Sequence, residues 1–374
     1  MTESLPSPLL TSSSAASHSA GERGFSLLKF LLLLVVLLIL AAGAGVLWAR
    51  ADVNRPVAHP SADRIITVEP GTSAAAVVAK LSEAGIVRHA IALRVYLRLT
   101  GRSGGLRAGD YKFASPISPM QAIERIRRGE TFLERVTIPE GYNRFDIAET
   151  LATKTGIATD AEFLRLMNDP SLIQRIAPNA RNLEGYLFPD TYNYNAKTTP
   201  EELIRTMINR FNEVFTPEWG MRANQLNLTI HQVITLASII EKEAKVPDER
   251  PHMASVFFNR LKIGMALGSD PTFIYAAILA GDYDGNPNQP RHRQRQSPYN
   301  TYLVTGLPPG PIASPGRASI EAVLYPDNTE DLYFVVNSRD GRHKFSRTAA
   351  EHDTAVSEYR KLQKEMRDEQ NANK

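Results

Sequence analysis

Hydrophobic and polar positions divide the chain into three regimes. The first is one uncharged run, FLLLLVVLLILAAGAGVLW, from Phe30 to Trp48. A helix of that length covers roughly 28 Å at about 1.5 Å per residue, close to a bilayer's ~30 Å hydrocarbon core. The small residues of AAGAG resemble a signal-cleavage site. A signal's apolar region, however, is usually about 7–15 residues, and this run is longer and ends in an interfacial Trp48. It reads as an uncleaved single N-terminal transmembrane helix over residues 30–48. Residues 1–29 include the low-complexity stretch SLPSPLLTSSSAASHS and read as a disordered cytoplasmic tail. Arg23 and Lys29 before the span face Arg50 and Arg55 after it, so the positive-inside bias is weak. The usual arrangement puts the short tail inside and the rest of the chain on the periplasmic side. Residues 49–63, with Pro56 and Pro60, read as a linker.

In the second regime, short apolar alternations are followed by helical periods, and the pattern occurs twice. ITVEPGTSAAAVVAKL starts at Ile66 and VTIPEGYNRFDIAETL at Val136, an offset of 70. Thr67 meets Thr137, Val68 Ile138, Gly71 Gly141, Val77 Ile147 and Leu81 Leu151. After a one-residue slip, Gly85-Ile86 meets Gly156-Ile157. Each copy predicts a strand, a Gly turn and an amphipathic helix ending near a Gly. Between them, Tyr111–Phe113 predicts a strand, followed by a Pro-started helix with Ala122, Ile123 and Ile126 on one face. Such β-turn-α units resemble LysM-like modules, which bind glycans, although many α+β domains share the pattern. The module is assigned to residues 64–135.

The third regime, from about Asp160, is mainly helical. Thr199-Pro200-Glu201-Glu202 opens a helix with a cap, a first-turn Pro and acidic residues at its positive end. Leu203, Met207 and Phe211 form its face. A helix over 227–243 follows, then HMASVFFNRL with Met253, Val256, Phe257 and Leu261 in a stripe. Strands return at Leu332–Asn337 and at residues 343–345, paired as a hairpin. The expected fold is α+β: the transmembrane helix, the small α/β module, a mixed α+β catalytic domain over 136–360 and a polar tail over 361–374.

Composition adds exclusions. At 374 residues and 43% hydrophobic content the chain can form two or three cores. A net charge of +3 does not argue for nucleic acid, and none is expected as a partner. With no cysteine, thiolate chemistry and disulfides are excluded. HExxH, P-loop, GxSxG and dinucleotide motifs are absent, and the eight His residues lack metal-ligand spacing. Neither a metal nor a cofactor is expected.

Candidate chemistry concentrates in four stretches. In TLASIIEKEA, residues 235–244, Glu241 continues the apolar stripe Ile230, Ile234, Ala237, while Thr235, Ser238 and Lys242 share a polar face. Spacing alone favours a solvated i,i+4 pair of Glu241 with Lys245, worth about 0.2–0.5 kcal/mol. The other reading is a half-buried general acid. A free Glu titrates near 4.3, and about two units of upward shift, roughly 2.7 kcal/mol of desolvation, would suit it to neutral pH. In SDPTFIY, Asp270 reads as a helix N-cap ahead of Pro271. SPYNTYLVTGLPPGPIASPG, residues 297–316, suits either a sugar ligand or a rigid surface loop, with Tyr299 and Tyr302 as stacking faces and Asn300 as donor and acceptor. LEGYLFPDTYNY, residues 183–194, has a similar mixture, with Glu184 and Asp190.

Taken in order, LEGYLFPDTY, ASIIEKEA, VFFNRL, SDPTFIYA, SPYNTYLVTGLPPGPIASPG and LYFVV resemble the endolytic murein transglycosylases of the MltG or YceG-like family, over roughly residues 64–360. The resemblance implies a lyase that cuts the β-1,4 bond between N-acetylmuramic acid and N-acetylglucosamine inside peptidoglycan strands. It leaves 1,6-anhydromuramyl ends and sets strand length beside peptidoglycan synthases at the inner membrane. It assigns the catalytic role to Glu241 and substrate positioning to Glu184, Asn259, Arg260, Asp270, Ser297, Tyr299, Asn300 and Tyr302. Gly268 before SDPT and Gln296 before SPYNTY depart from the family pattern. Two other readings are a non-catalytic peptidoglycan tether and a hydrolytic muramidase. The latter needs a second carboxylate near Glu241, with Asp270 and Glu184 as candidates.

Overall fold

The computed structural model describes residues 21–372 apart from 196 and 288. The tail assigned to residues 1–29 therefore lies outside the described residues up to residue 20, as does the chain end at 373–374. The described chain divides into two compact units, residues 1–132 and 133–374.

The first unit contains α1 (Gly21–Asn54), β1 (Ile66–Val68), α2 (Ala74–Glu83), α3 (Ala90–Leu99), β2 (Gly109–Tyr111) and α4 (Pro119–Arg128). Among the described residues, α1 is the one helix long and apolar enough to cross a membrane, with mean hydropathy 3.0. The leucines and valines of its apolar run are exposed all round, as a lipid-facing surface requires. The helix does not stop at Trp48. No breaker intervenes until Pro56, which disfavours helical geometry in the residue before it, so helix replaces the expected linker through Asn54. Val53 is 1% exposed and belongs to the core of this unit, with Val78, Leu81, Leu93, Leu97, Phe113 and Ile123. The span thus continues as one rigid rod into the first core.

Strand β1 pairs antiparallel with β2, Thr67 opposite Asp110. The second strand ends at Tyr111, two residues earlier than the sequence pattern suggests. Ser73 caps α2 by accepting from the Ala76 amide, and Ser118 with Gln121 forms a capping box on α4.

The second unit contains β3 (Glu134–Thr137), α5 (Arg144–Thr155), α6 (Asp160–Met167), β4 (Thr191–Tyr194), α7 (Pro200–Val214), α8 (Pro217–Gln225), α9 (Ile230–Glu243), α10 (Arg250–Lys262), α11 (Asp270–Leu279), α12 (Pro290–Arg293), α13 (Arg317–Leu324), β5 (Tyr333–Val336), β6 (His343–Ser346) and α14 (Ala349–Ala372). Strands β3 and β4 pair antiparallel, as do β5 and β6. The sequence repeat has a structural counterpart. The β3–α5 copy reproduces β1–α2, with left-handed turn glycines Gly71 and Gly141 at φ 79° and 77° and a side-chain cap, Ser73 or Asn143, before each helix.

Helix α9 is the centre of this unit. Thr229 and Gln232 form its capping box, and every residue from Val233 to Ile240 is buried. The expected polar face is therefore not a solvent face. Thr235 and Ser238 are 1% and 0% exposed, and their hydroxyls bond back to the His231 and Thr235 carbonyls at 2.7 Å each. Small hydroxyl residues can be buried in this way because the helix itself satisfies them. With its flanks buried, α9 delivers its C-terminal carboxylates into the interior of the fold. The C-terminal polar segment is ordered as α14, which packs against β5 and β6.

Candidate active site

Three segments meet at the end of α9: the Pro139-Glu140-Gly141 turn after β3, the helix terminus, and the PIASPG loop before α13. The Gly141 amide donates to Ser314 O at 2.9 Å and the Ser314 amide to Tyr142 O at 2.8 Å. Lys242 Nζ donates to Gly141 O at 3.0 Å, and the Ile312 amide donates to Ser238 Oγ at 3.0 Å. Turn, helix and loop are thereby held in one register.

The Glu241 side chain, 7% exposed, is fixed at both oxygens. Oε2 accepts from the Gly316 amide at 3.0 Å and from Ser319 Oγ at 2.7 Å, while Arg250 Nη2 lies 3.5 Å from Oε1. The pairing partner is thus Arg250 from α10. The Lys245 pair suggested by spacing does not form, because the chain leaves helical geometry at Ala244. Arg250 also donates through Nε to Ser319 Oγ at 3.0 Å, closing a ring of Glu241, Ser319 and Arg250.

Glu140, an exposed residue, lies against the same turn: a Cβ on Gly316 would overlap its carboxylate. Burial raises the Glu140 pKa, the charge of Glu241 raises it further, and Arg250 opposes both. Glu140 is therefore the carboxylate that shares the electrostatic environment of Glu241. Sequence reasoning did not single it out. The available signal was the repeat, which places Pro139-Glu140-Gly141 opposite the Glu69-Pro70-Gly71 turn and so marks an exposed tip.

Glu184 and Asp270 belong to different networks. Glu184 is 2% exposed and accepts from the Arg144 amide, the first of α5, at 3.0 and 3.1 Å, and from the Tyr275 hydroxyl at 2.8 Å. It acts as a buried helix cap. Burial outweighs those donors and pushes its pKa up to about 7. Tyr299 joins this group through Tyr275, ring centroids 5.1 Å apart.

Asp270 is not the N-cap of α11. That position is Ser269, whose hydroxyl instead donates to Glu243 Oε1 at 2.6 Å. Asp270 accepts from the Tyr302 hydroxyl at 2.6 Å, and the Arg293 guanidinium stacks 4.1 Å from the Tyr302 ring centre. Glu243 faces Asp270 and Arg260, and burial pushes its pKa up to about 7. The two carboxylates of the EKE motif therefore enter separate networks, Glu241 toward Gly316 and Glu243 toward Ser269.

The remaining sequence candidates hold loops. Asn259 Nδ2 donates to Thr329 O and Asp331 O at 3.0 Å each, and Arg260 Nε donates to Leu332 O at 2.6 Å. Asn300 is fully buried and donates to Arg293 O and Arg295 O at 2.9 Å each. Ser297 Oγ accepts from the Tyr299 amide at 3.2 Å. His231 joins two of the motifs, with Nδ1 2.9 Å from the Tyr186 hydroxyl and Nε2 3.0 Å from Pro309 O.

Two neighbouring carboxylates and an arginine around a glycine turn, carried by an α+β fold, are groups of the kind that acid–base chemistry uses. The chain belongs to the YceG-like family, whose profile matches residues 66–358. A Bacillus subtilis protein named endolytic murein transglycosylase is 33% identical, over 86% of this chain and 91% of that protein. A Streptococcus pneumoniae protein of the same name is 29% identical, over 79% of this chain and 58% of its own length. The crystal structure of a YceG-like protein from Listeria monocytogenes matches with a TM-score of 0.54 and 29% identity. That match covers 78% of this chain and 97% of the other.

Two outcomes follow from this geometry. Gly316 has an ordinary φ of −74°, so Gly316→Ala strains no dihedral and acts by displacing Glu140. Turnover is expected to fall about 100-fold, the scale of a misplacement near 1 Å, with the folded state retained in thermal melts. Glu184 and Glu243 are both raised from 4.5 to about 7, so their neutral forms are favoured by folding. Their contribution to stability is fully present below pH 4.5 and is lost as pH rises through about 7. Glu184→Gln and Glu243→Gln are each expected to flatten that decline, as measured by denaturant unfolding across the window.

Proposed function

We propose that this protein is a membrane-anchored endolytic peptidoglycan lytic transglycosylase. It cleaves the β-1,4 bond between N-acetylmuramic acid and N-acetylglucosamine within glycan strands. The observation that carries this reading is the placement of Glu241. The helix end that the family motif marks is held against Gly316, Ser319 and Arg250, beside a second, solvent-facing carboxylate.

In this chemistry the carboxyl of Glu241 gives its proton to the glycosidic oxygen as the bond from the muramyl C1 breaks. The sugar's own C6 hydroxyl attacks C1, and its proton returns to a carboxylate of the site. The product is a 1,6-anhydro end, and no water is consumed. No carboxylate nucleophile and no activated water are required, because the nucleophile comes from the substrate. Glu140, exposed where Glu241 is nearly buried, is the partner through which proton exchange with substrate and solvent is completed. Asp270, Ser297, Tyr299 and Tyr302 position the glycan, while Glu184, Asn259, Arg260 and Asn300 keep the loops in place. The reading further places residues 64–135 as a LysM-like glycan-holding module and 136–360 as the catalytic domain. The catalytic domain lies on the periplasmic side of the inner membrane, next to peptidoglycan synthases, where cleavage limits nascent strand length.

Glu140 also supports a second reading. Two carboxylates are what a hydrolytic muramidase uses, one to protonate and one to direct water. The products separate the two: mass spectrometry of digested sacculi is expected to find anhydro ends, whereas reducing ends would indicate hydrolysis. Glu241→Gln keeps an oxygen for the Gly316 and Ser319 donors and so keeps the fold. It is expected to abolish release, and persistent activity would remove Glu241 from the catalytic role. Glu140→Gln is expected to slow release by about 10²–10⁴-fold, the usual scale of an acid–base group, without changing the kind of end produced.

A further inference from the structure

Helix α3 carries an apolar face that no part of the described fold covers. Ile91, Val95 and Leu99, spaced four apart, are 71%, 51% and 69% exposed, while Leu93 and Leu97 on the other side are each 1% exposed. A helix with one face in the core should be polar on the other. This one has two apolar faces, and Arg94 and Arg98 line the groove beside the outer one. Arg88, Arg94 and Arg98 make no ion pair among the described residues, so three guanidinium groups flank the stripe without a carboxylate.

The position of α3 indicates what covers this face. The helix packs against α1 within the same unit: the Trp48 and His89 ring centres are 5.1 Å apart, and His89 Nδ1 lies 3.0 Å from Asp52 Oδ2. Between the two helices runs a groove of about 770 Å³. Its lining includes Ala42, Gly45 and Val46 on one side and Ile91, Val95 and Leu99 on the other. Ala42, Gly45 and Val46 belong to the apolar run that α1 places in a bilayer. Because α1 continues without a break into the core at Val53, α3 is held at the level of the span's last two turns.

We infer that α3 is an interfacial helix, its Ile91-Val95-Leu99 stripe seated in the acyl region of the leaflet from which α1 emerges and its arginines at anionic headgroups. The inference rests on α1 crossing the membrane. Amphipathic interfacial helices bury their apolar face about 5–10 Å into the headgroup–acyl boundary. Residues 42–49 of α1 cover about 10 Å at 1.5 Å per residue, the same depth. Arginines beside the stripe keep their stems in apolar surroundings while their charged ends reach phosphate. The same lipid fills the groove between the helices. The first unit is thereby fixed on the bilayer by two contacts, a span and a surface helix, which removes the freedom to tumble about a single anchor.

The absence of cysteine makes a direct test available. Ile91→Cys, Val95→Cys and Leu99→Cys are exposed, conservative positions for a nitroxide label. Leu33→Cys in the span serves as the lipid reference and Glu83→Cys on α2 as the water reference. The full-length chain is placed in nanodiscs of phosphatidylethanolamine and phosphatidylglycerol, and collision with oxygen and with a water-soluble nickel chelate is measured at each site. At 91, 95 and 99 the oxygen-to-nickel ratio is expected to exceed that at Glu83 several-fold and to approach that at Leu33. A ratio like that at Glu83 would overturn the inference by showing the stripe in water. Low collision with both reagents would overturn it as well, since the face would then be covered by protein, from a second copy or another partner. If α1 did not span the bilayer, Leu33 itself would lose its lipid signature, which separates failure of the anchor from failure of the surface helix.

Discussion

The site in the second unit depends on giving partners to a polar side chain at the end of a largely buried helix. Helix α9 is buried from Val233 to Ile240, its hydroxyls satisfied by its own backbone, so the carboxylate that follows at Glu241 is largely shielded from solvent. An ionisable group there requires partners, because an unpaired buried charge would cost several kcal/mol. Gly316, Ser319 and Arg250 supply those partners from three different places. The PIASPG loop, α13 and the start of α10 are arranged around this need. Gly316 is a glycine for a local reason: the Glu140 carboxylate occupies the space a side chain would take.

The same constraint explains why the two EKE carboxylates part company. A two-residue separation on a helix turns side chains by about 200°, so Glu241 and Glu243 face opposite directions. Each finds a hydroxyl and an arginine in its own direction, Ser319 with Arg250 for one and Ser269 with Arg260 for the other. Glu243 and Glu184 are pushed up to about 7 by burial, and both end in structural networks around α11 and α5. A displaced titration at these positions therefore reports on packing. The carboxylates of the proposed reaction are recognised by sharing Gly316 and Arg250.

At the other end of the chain, the continuity of α1 plays a comparable organising role. A helix that leaves the membrane and enters a hydrophobic core without a flexible joint transmits the orientation of the bilayer to the first unit. The side of α3 facing away from that core is apolar, and among the described residues its arginines have no carboxylate partner. An exposed apolar stripe is costly in water, and flanking arginines suit a lipid surface.

Much was legible in the sequence because it depends on local periodicity. The span, the two strand–turn–helix copies, the capped helix at Thr199 and the β5–β6 hairpin follow from hydrophobic period, caps and turn residues, which act over a few positions. The family motifs likewise marked Glu241. What the sequence could not determine was which distant groups meet. Glu140 and Glu241 lie a hundred residues apart, and only folding of the PEG turn against the PIASPG loop brings them together. The buried state of Thr235 and Ser238, the Arg250 partner in place of Lys245 and the pairing of Ser269 with Glu243 have the same origin. Each depends on contacts between segments, whose energies of a few kcal/mol outweigh the tenths contributed by local i,i+4 pairs.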